Sequence, residues 1–259
     1  MVQSFTDLTG SLSGLQLGLL AITMLGAGFL RGFVGFGSAL VIIMVLSAFF
    51  GPLVAIPVSS LAAVPSGLQL LPEALRHSER SFVLPFGLAT FAAVPVGTIV
   101  LVSVDPALMK IVISLFVLAM VVMLHRGWQP KPGQGRAQLI GAGIGCGLIQ
   151  GAAGVGGPPV VAIALSRPGS STVQRANVIG TVTALALATP LPLLYHGLFT
   201  REVIVMSLLA LPLFYGATWL GTRAFSGGGE RYFRNAALAT LAVVGVITLA
   251  VAVGDYLAA

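Results

Sequence analysis

Apolar residues run almost unbroken along this chain, interrupted only by short clusters of charge, proline or glycine. Cutting at those clusters leaves ten segments, 12–34, 36–50, 53–71, 81–103, 106–125, 138–154, 157–166, 173–196, 202–224 and 232–253. A helix needs about 20 apolar residues to cross a hydrocarbon core of roughly 30 Å. Most segments approach or meet that length. Segments 36–50 and 157–166 fall short, and each directly follows a glycine cluster. That pattern predicts half-helices or re-entrant pieces in place of full crossings. The longest polar stretch, Arg126 to Arg136, carries Pro130, Pro132, Gly133 and Gly135 and separates halves of similar length. The predicted fold is an all-α polytopic membrane protein of about eight to ten helical segments. Residues 1–125 form one half, 126–137 a polar cytoplasmic linker, and 138–259 the other half.

Composition fixes the solvent. Of 259 residues, 57% are hydrophobic and 8% charged, where a soluble domain carries roughly 25% charged residues. Too little charge remains to hydrate a globule of this size, which excludes a soluble enzyme. The net charge of +6 and pI of 10.3 do not point to nucleic acid, because no basic cluster sits on a polar domain. The single cysteine, Cys146, makes no intramolecular disulfide. No cofactor or metal is expected. Met1 to Gly10 holds Asp7 and no basic residue, unlike a signal peptide with a positive n-region.

The basic residues assign sides. With the segments in alternation, Arg76, Arg80, Arg126, Lys131, Arg136, Arg167, Arg175, Arg223, Arg231 and Arg234 gather on one side. Only Lys110 and Arg201 fall on the other. Ten against two predicts that the first side is cytoplasmic and both termini face outward, as in a multi-pass inner-membrane protein. Trp128, Tyr195, Tyr232 and Tyr256 read as interfacial anchors, and His77 and His196 as interfacial histidines.

The halves also repeat. Gly28-Phe29-Leu30-Arg31-Gly32-Phe33-Val34-Gly35-Phe36-Gly37 aligns without a gap on Gly147-Leu148-Ile149-Gln150-Gly151-Ala152-Ala153-Gly154-Val155-Gly156, at an offset of 119 that also brings His77 onto His196. After a small shift Gly97-Thr98 meets Gly221-Thr222. Five segments per half make the second copy enter from the opposite side, the inverted-topology repeat of secondary transporters.

Glycine clusters let a helix unwind where the backbone lines a cavity, and the freed N–H groups at the next helix start suit an anion. On that basis Gly32, Gly35, Gly37, Gly151, Gly154, Gly156 and Gly157 are candidate site linings, whereas Gly141, Gly143 and Gly145 read as small-residue helix packing. Arg31 is the most informative residue. A cation within a span costs about 2.5–3.5 kcal/mol on insertion scales, so it calls for a partner or a function. Gln150, its counterpart, is an uncharged donor. Ser38 is a candidate hydroxyl ligand beside the first break, and Arg175 with Asn177 is placed to reach the same cavity from the cytoplasmic side. Ser59, Ser60, Thr181 and Thr183 are weaker candidates, since hydroxyls in spans often bond to their own helix. Phe33 and Phe36 flank the first glycines as gate or packing. All seven acids lie in tails, loops or segment ends. A cation carrier commonly keeps a carboxylate inside the membrane. An arginine lacking an acidic mate wants an anion.

The paired glycine blocks, the polar break and the closing Gly221-Thr222-Arg223 resemble the TauE/SafE sulfite exporter family, over about Gly14 to Val253. The resemblance implies bacterial membrane transport of a sulfur-containing anion such as sulfite or an organosulfonate. Many members continue the glycine run where Ser38 stands, while Gly157 keeps it in the second half; Arg31 is not general to the family. The leading expectation is a permease with alternating access about a midplane site. An anion channel or a carboxylate transporter stands as the alternative. An intramembrane enzyme has less support, because no nucleophile and base share the spans. H+ and Na+ are both candidate coupling ions, and a homodimer is a candidate assembly.

Overall fold

A computed structural model describes residues 14–105 and 135–232 continuously, with isolated helical positions at 108, 109, 111, 112, 115, 236 and 239. The expected segments 106–125 and 232–253, most of the linker, both chain ends and Lys110, Arg126, Lys131 and Arg234 lie outside the described residues, apart from those isolated positions.

The described chain is helical and contains no strand. Its helices are α1 (Gly14–Val34), α2 (Ser38–Phe50), α3 (Pro52–His77), α4 (Arg80–Ser103), α5 (Arg136–Ala153), α6 (Gly157–Leu165), α7 (Ser171–Ala188), α8 (Pro190–Tyr195) and α9 (Arg201–Ser226). Five stretches are long and apolar enough to cross a membrane: Gln16–Val34, Pro52–His77, Arg80–Ser103, Ser171–Tyr195 and Arg201–Ser226. At 13 and 9 residues, α2 and α6 reach only about 20 and 14 Å. The glycine-led segments are therefore short, as the sequence predicts.

Burial is inverted relative to a water-soluble protein. Arg31 and Arg175 are among the largest fully buried side chains, while Ile22, Leu88 and Leu191 are 75%, 70% and 67% exposed. An apolar exterior of this extent fits lipid. Hydroxyls inside the helices mostly return to their own backbone. Thr98 donates to the Val94 carbonyl, Thr181 to Asn177 and Val178, Ser207 to Val203 and Thr218 to Phe214.

One boundary differs from its expectation. The third segment ends at His77, six residues past position 71, so Glu73 lies within α3. Pro72 does not stop the helix, nor do Pro57 and Pro65. Neighbouring helices can satisfy the groups that an internal proline frees.

Two intimate helix pairs organise the bundle, α1 with α9 and α4 with α5. Both are made by glycine. A methyl on Gly32 would collide with the Thr218 carbonyl, and one on Gly221 with the Phe29 carbonyl. In the other pair, Gly151 meets the Val94 carbonyl and Gly97 the Leu148 carbonyl. Gly28 stands against Phe214 and Ala217 as Gly147 does against Thr90 and Ala93. Each glycine on α1 is 119 residues before its counterpart on α5, and each α4 partner 124 before its counterpart on α9. Gly143 also packs, against Phe86, whereas Gly141 and Gly145 have open space beside them. Of the three glycines read as packing residues, Gly143 alone meets a neighbouring helix among the described residues.

Candidate functional site

Two breaks lie between the paired helices. The chain leaves α1 through Gly35 and Gly37 and starts α2; it leaves α5 through Gly154 and Gly156 and starts α6. Gly35 and Gly154 both adopt a left-handed backbone, with φ of 89° and 70°. The copies then diverge. Gly37 is left-handed at 93°, while Gly156 is right-handed at −68°.

The breaks and the adjoining helices enclose a small cavity of about 40 Å³, room for about three waters or one compact anion. Arg31 and Gln150 line it, as do Phe36 and Val155, Ser38 and Gly157, Ala39 and Pro158, and Ala63 and Val182. Members of every one of these pairs are 119 residues apart. Gly37, Ser59, Ser60 and Thr189 add to the lining. Arg31 is the only charged residue among them.

Arg31 is 1% exposed. Its Nη1 donates to the Gly35 carbonyl at 2.7 Å, and Nη2 reaches Thr183 Oγ1 at 3.5 Å. Its Nε has no partner. Among the described residues the other buried side-chain atoms lacking one are Ser47 Oγ, Ser60 Oγ and Gln69 Oε1. Arg31 Nε and Ser60 Oγ thus both belong to residues of one cavity. An unpaired buried donor costs about 1–3 kcal/mol and more when charged, and two such atoms belong to the walls of this one cavity.

Gln150 is already engaged. Its Oε1 accepts from the Gly156 N–H at 3.0 Å and its Nε2 donates to Thr189 Oγ1 at 3.2 Å. The two helix starts differ for the same purpose. At α2, Ser38, Ala39 and Leu40 present first-turn N–H groups with no carbonyl four residues back inside the helix. At α6, Pro158 and Pro159 have no N–H at all. Gly157, the first residue of α6, keeps its N–H, so α2 offers three first-turn donors where α6 offers one.

The remaining sequence candidates stand elsewhere. Gly32 and Gly151 are helix-crossing points. Gly35, Gly154 and Gly156 shape the turns: a methyl on them would meet Ile179, Ile43 and the Cys146 carbonyl, respectively. Arg175 does not line the cavity. It is fully buried, donates from Nε to the Phe33 carbonyl at 2.9 Å and from Nη2 to the Gly32 carbonyl, pairs with Glu73, and stacks 4.0 Å from the Phe225 ring centre. It thereby satisfies the carbonyls at the end of α1, which no helical N–H reaches. Asn177 is likewise structural. Its Oδ1 accepts from the Glu79 N–H at 2.8 Å at the start of α4, and Glu79 pairs with Arg167 at 2.7 Å. These contacts gather the α3–α4 and α6–α7 connections at one end of the molecule.

Thr189 was not anticipated from the sequence; the only local signal is the Thr189-Pro190 interruption of the eighth segment. Among the described residues no group of three His, Cys, Asp or Glu side chains gathers as metal ligands.

A family model described as sulfite exporter TauE/SafE matches residues 20–248. The chain is also similar to the probable sulfite/organosulfonate exporter TauE of Cupriavidus necator, being 28% identical over 221 residues that cover 80% of this chain and 83% of that protein. No solved structure matches it.

Proposed function

The chain belongs to the TauE/SafE sulfite exporter family, and from that premise we propose that it is a secondary permease for sulfite or an organosulfonate in the inner membrane. The substrate anion binds in the cavity beside Arg31, and the two halves rock about it in alternating access. The observation that carries this reading is the unpartnered Arg31 Nε in a buried cavity whose lining includes no acid.

Three further features support it. Ten of the lining residues fall into five pairs 119 apart, and the glycines of the α1–α9 crossing are the repeat counterparts of those at the α4–α5 crossing. This agrees with two inverted repeats, 1–125 and 138–259. The ends joined by Glu73–Arg175 and Glu79–Arg167 belong to the side rich in basic residues, which is cytoplasmic in this reading. Both termini then face outward. A small site lined by residues of both halves favours a carrier over a channel or an enzyme.

The test is a thermal-shift screen of purified protein against sulfite, sulfate, taurine, isethionate, sulfoacetate and carboxylates, followed by counterflow in proteoliposomes. Sulfur oxyanions are expected to stabilise the protein and exchange across the vesicle. Stabilisation by carboxylates alone would remove the sulfur assignment. Counterflow with imposed H+ or Na+ gradients identifies the coupling ion, and light scattering of the detergent complex decides between monomer and homodimer.

A further inference from the structure

Resting on that reading of the cavity, we infer that the site selects a ligand by its charge, accepting a compact monoanion and rejecting the dianion of the same shape. A sulfonate head, or sulfite carrying one proton, is the fitting form.

The inference follows from a charge inventory of the cavity walls. Among the described residues that line it, Arg31 supplies the only formal charge. The other buried guanidinium, Arg175, is already neutralised by Glu73 and bonded to the end of α1. Helix-end charges do not change the balance greatly, because each break joins a negative C-terminal end to a positive N-terminal end: α1 with α2, and α5 with α6. The net field is that of about one positive charge.

The rest of the wall offers dipoles and apolar surface. Ser38, Ser59, Ser60 and the α2 first-turn N–H groups can bond oxyanion oxygens without adding formal charge. Phe36, Val155, Val182, Leu185 and Ala186 supply apolar wall. In the second half, Gln150 has its oxygen and one N–H engaged, and the first turn of α6 keeps only the Gly157 N–H because Pro158 and Pro159 have none, so this half adds neutral dipoles and no cation. A second negative charge would be buried with no cation to answer it, which is the costly case of an unpaired charge in a low-dielectric interior.

Methylphosphonate tests this at constant shape, since it passes from monoanion to dianion as pH rises. Methanesulfonate, a monoanion throughout, reports any change in the protein itself. Calorimetry of both with the detergent-purified full chain is expected to show methylphosphonate weakening about tenfold or more, relative to methanesulfonate, once it has lost its second proton. Arg31→Ala is expected to abolish binding of both. Equal or tighter binding of the dianion, with Arg31→Ala still blocking both ligands, overturns the charge selection and leaves the anion site standing. Failure of methanesulfonate to bind the unmodified protein, or binding that survives Arg31→Ala, overturns the site and the selection together.

Discussion

Arg31 and Gly35 are joined by a 2.7 Å bond from Nη1 to the carbonyl, so the cation is anchored by the break in which its own helix ends. That bond fixes the guanidinium and leaves Nε without a partner. Position and charge are both needed. Arg31→Ala should weaken binding of the transported anion at least about a hundredfold, given 1.5–3 kcal/mol for each hydrogen bond to a charged group. Arg31→Lys keeps the charge but loses the fork and should recover only part of the affinity. Calorimetry checks both, with size-exclusion profiles confirming that the variants remain folded.

Ser60 should separate stability from binding. Its hydroxyl is buried at the cavity wall without a protein partner, so Ser60→Ala removes an unsatisfied group and is expected to leave Tm unchanged or slightly raised. Anion affinity should fall about fivefold, the equivalent of roughly 1 kcal/mol for one lost hydrogen bond. A fall in Tm with unaltered affinity would contradict the assignment.

Glycines that look alike in sequence should behave differently. Gly32→Ala and Gly151→Ala place a methyl against a facing carbonyl, at Thr218 and Val94 respectively. Each should destabilise by at least about 1–3 kcal/mol through forced separation of two helices. Gly141→Ala and Gly145→Ala have open space and should be neutral or stabilising by up to about 1 kcal/mol from helix propensity. Thermal unfolding in a single detergent ranks the four.

The Glu73–Arg175 pair holds the fold and does not touch the cavity. Glu73→Gln leaves a fully buried guanidinium short of its counter-charge, and a loss of about 3–5 kcal/mol is expected. Arg175→Ala should be similarly damaging, because the Phe33 carbonyl loses its donor and the Gly32 carbonyl keeps only a 3.5 Å bond from Thr222 Oγ1. The folded fraction of either variant should keep near-normal anion affinity, measured below its lowered Tm. A binding defect without a stability defect would place Arg175 in the site after all.

The sequence showed the helices well, because a bilayer demands long apolar runs and a glycine break is visible in any alignment of the two halves. It also singled out Arg31, since a lone cation in an apolar run has few explanations. What it did not show was depth. Gly32 and Gly35 are three residues apart in one motif, yet one packs a helix crossing and the other turns the chain; only the rotation of α1 against α9 separates those roles. Arg175 reads as a loop cation near a helix start. Its burial depends on Glu73, Phe225 and the end of α1, three contacts distant in sequence. Proline carried a signal that periodicity missed: Pro158-Pro159 leaves the first turn of α6 with the Gly157 N–H as its one donor, and so tells the two breaks apart.

That proline pair gives the cavity a front and a back. A sulfonate lying there would turn its oxygens toward α2 and Arg31 and its carbon toward Val155 and Pro158. Cargo then travels with a fixed heading. In such a carrier a longer carbon tail would press on Val155, Gly157 and Pro158 of the second half, while the head group would be gripped by Arg31 and α2 of the first. Size and charge preference would then be open to independent change, each in the opposite half of one protein.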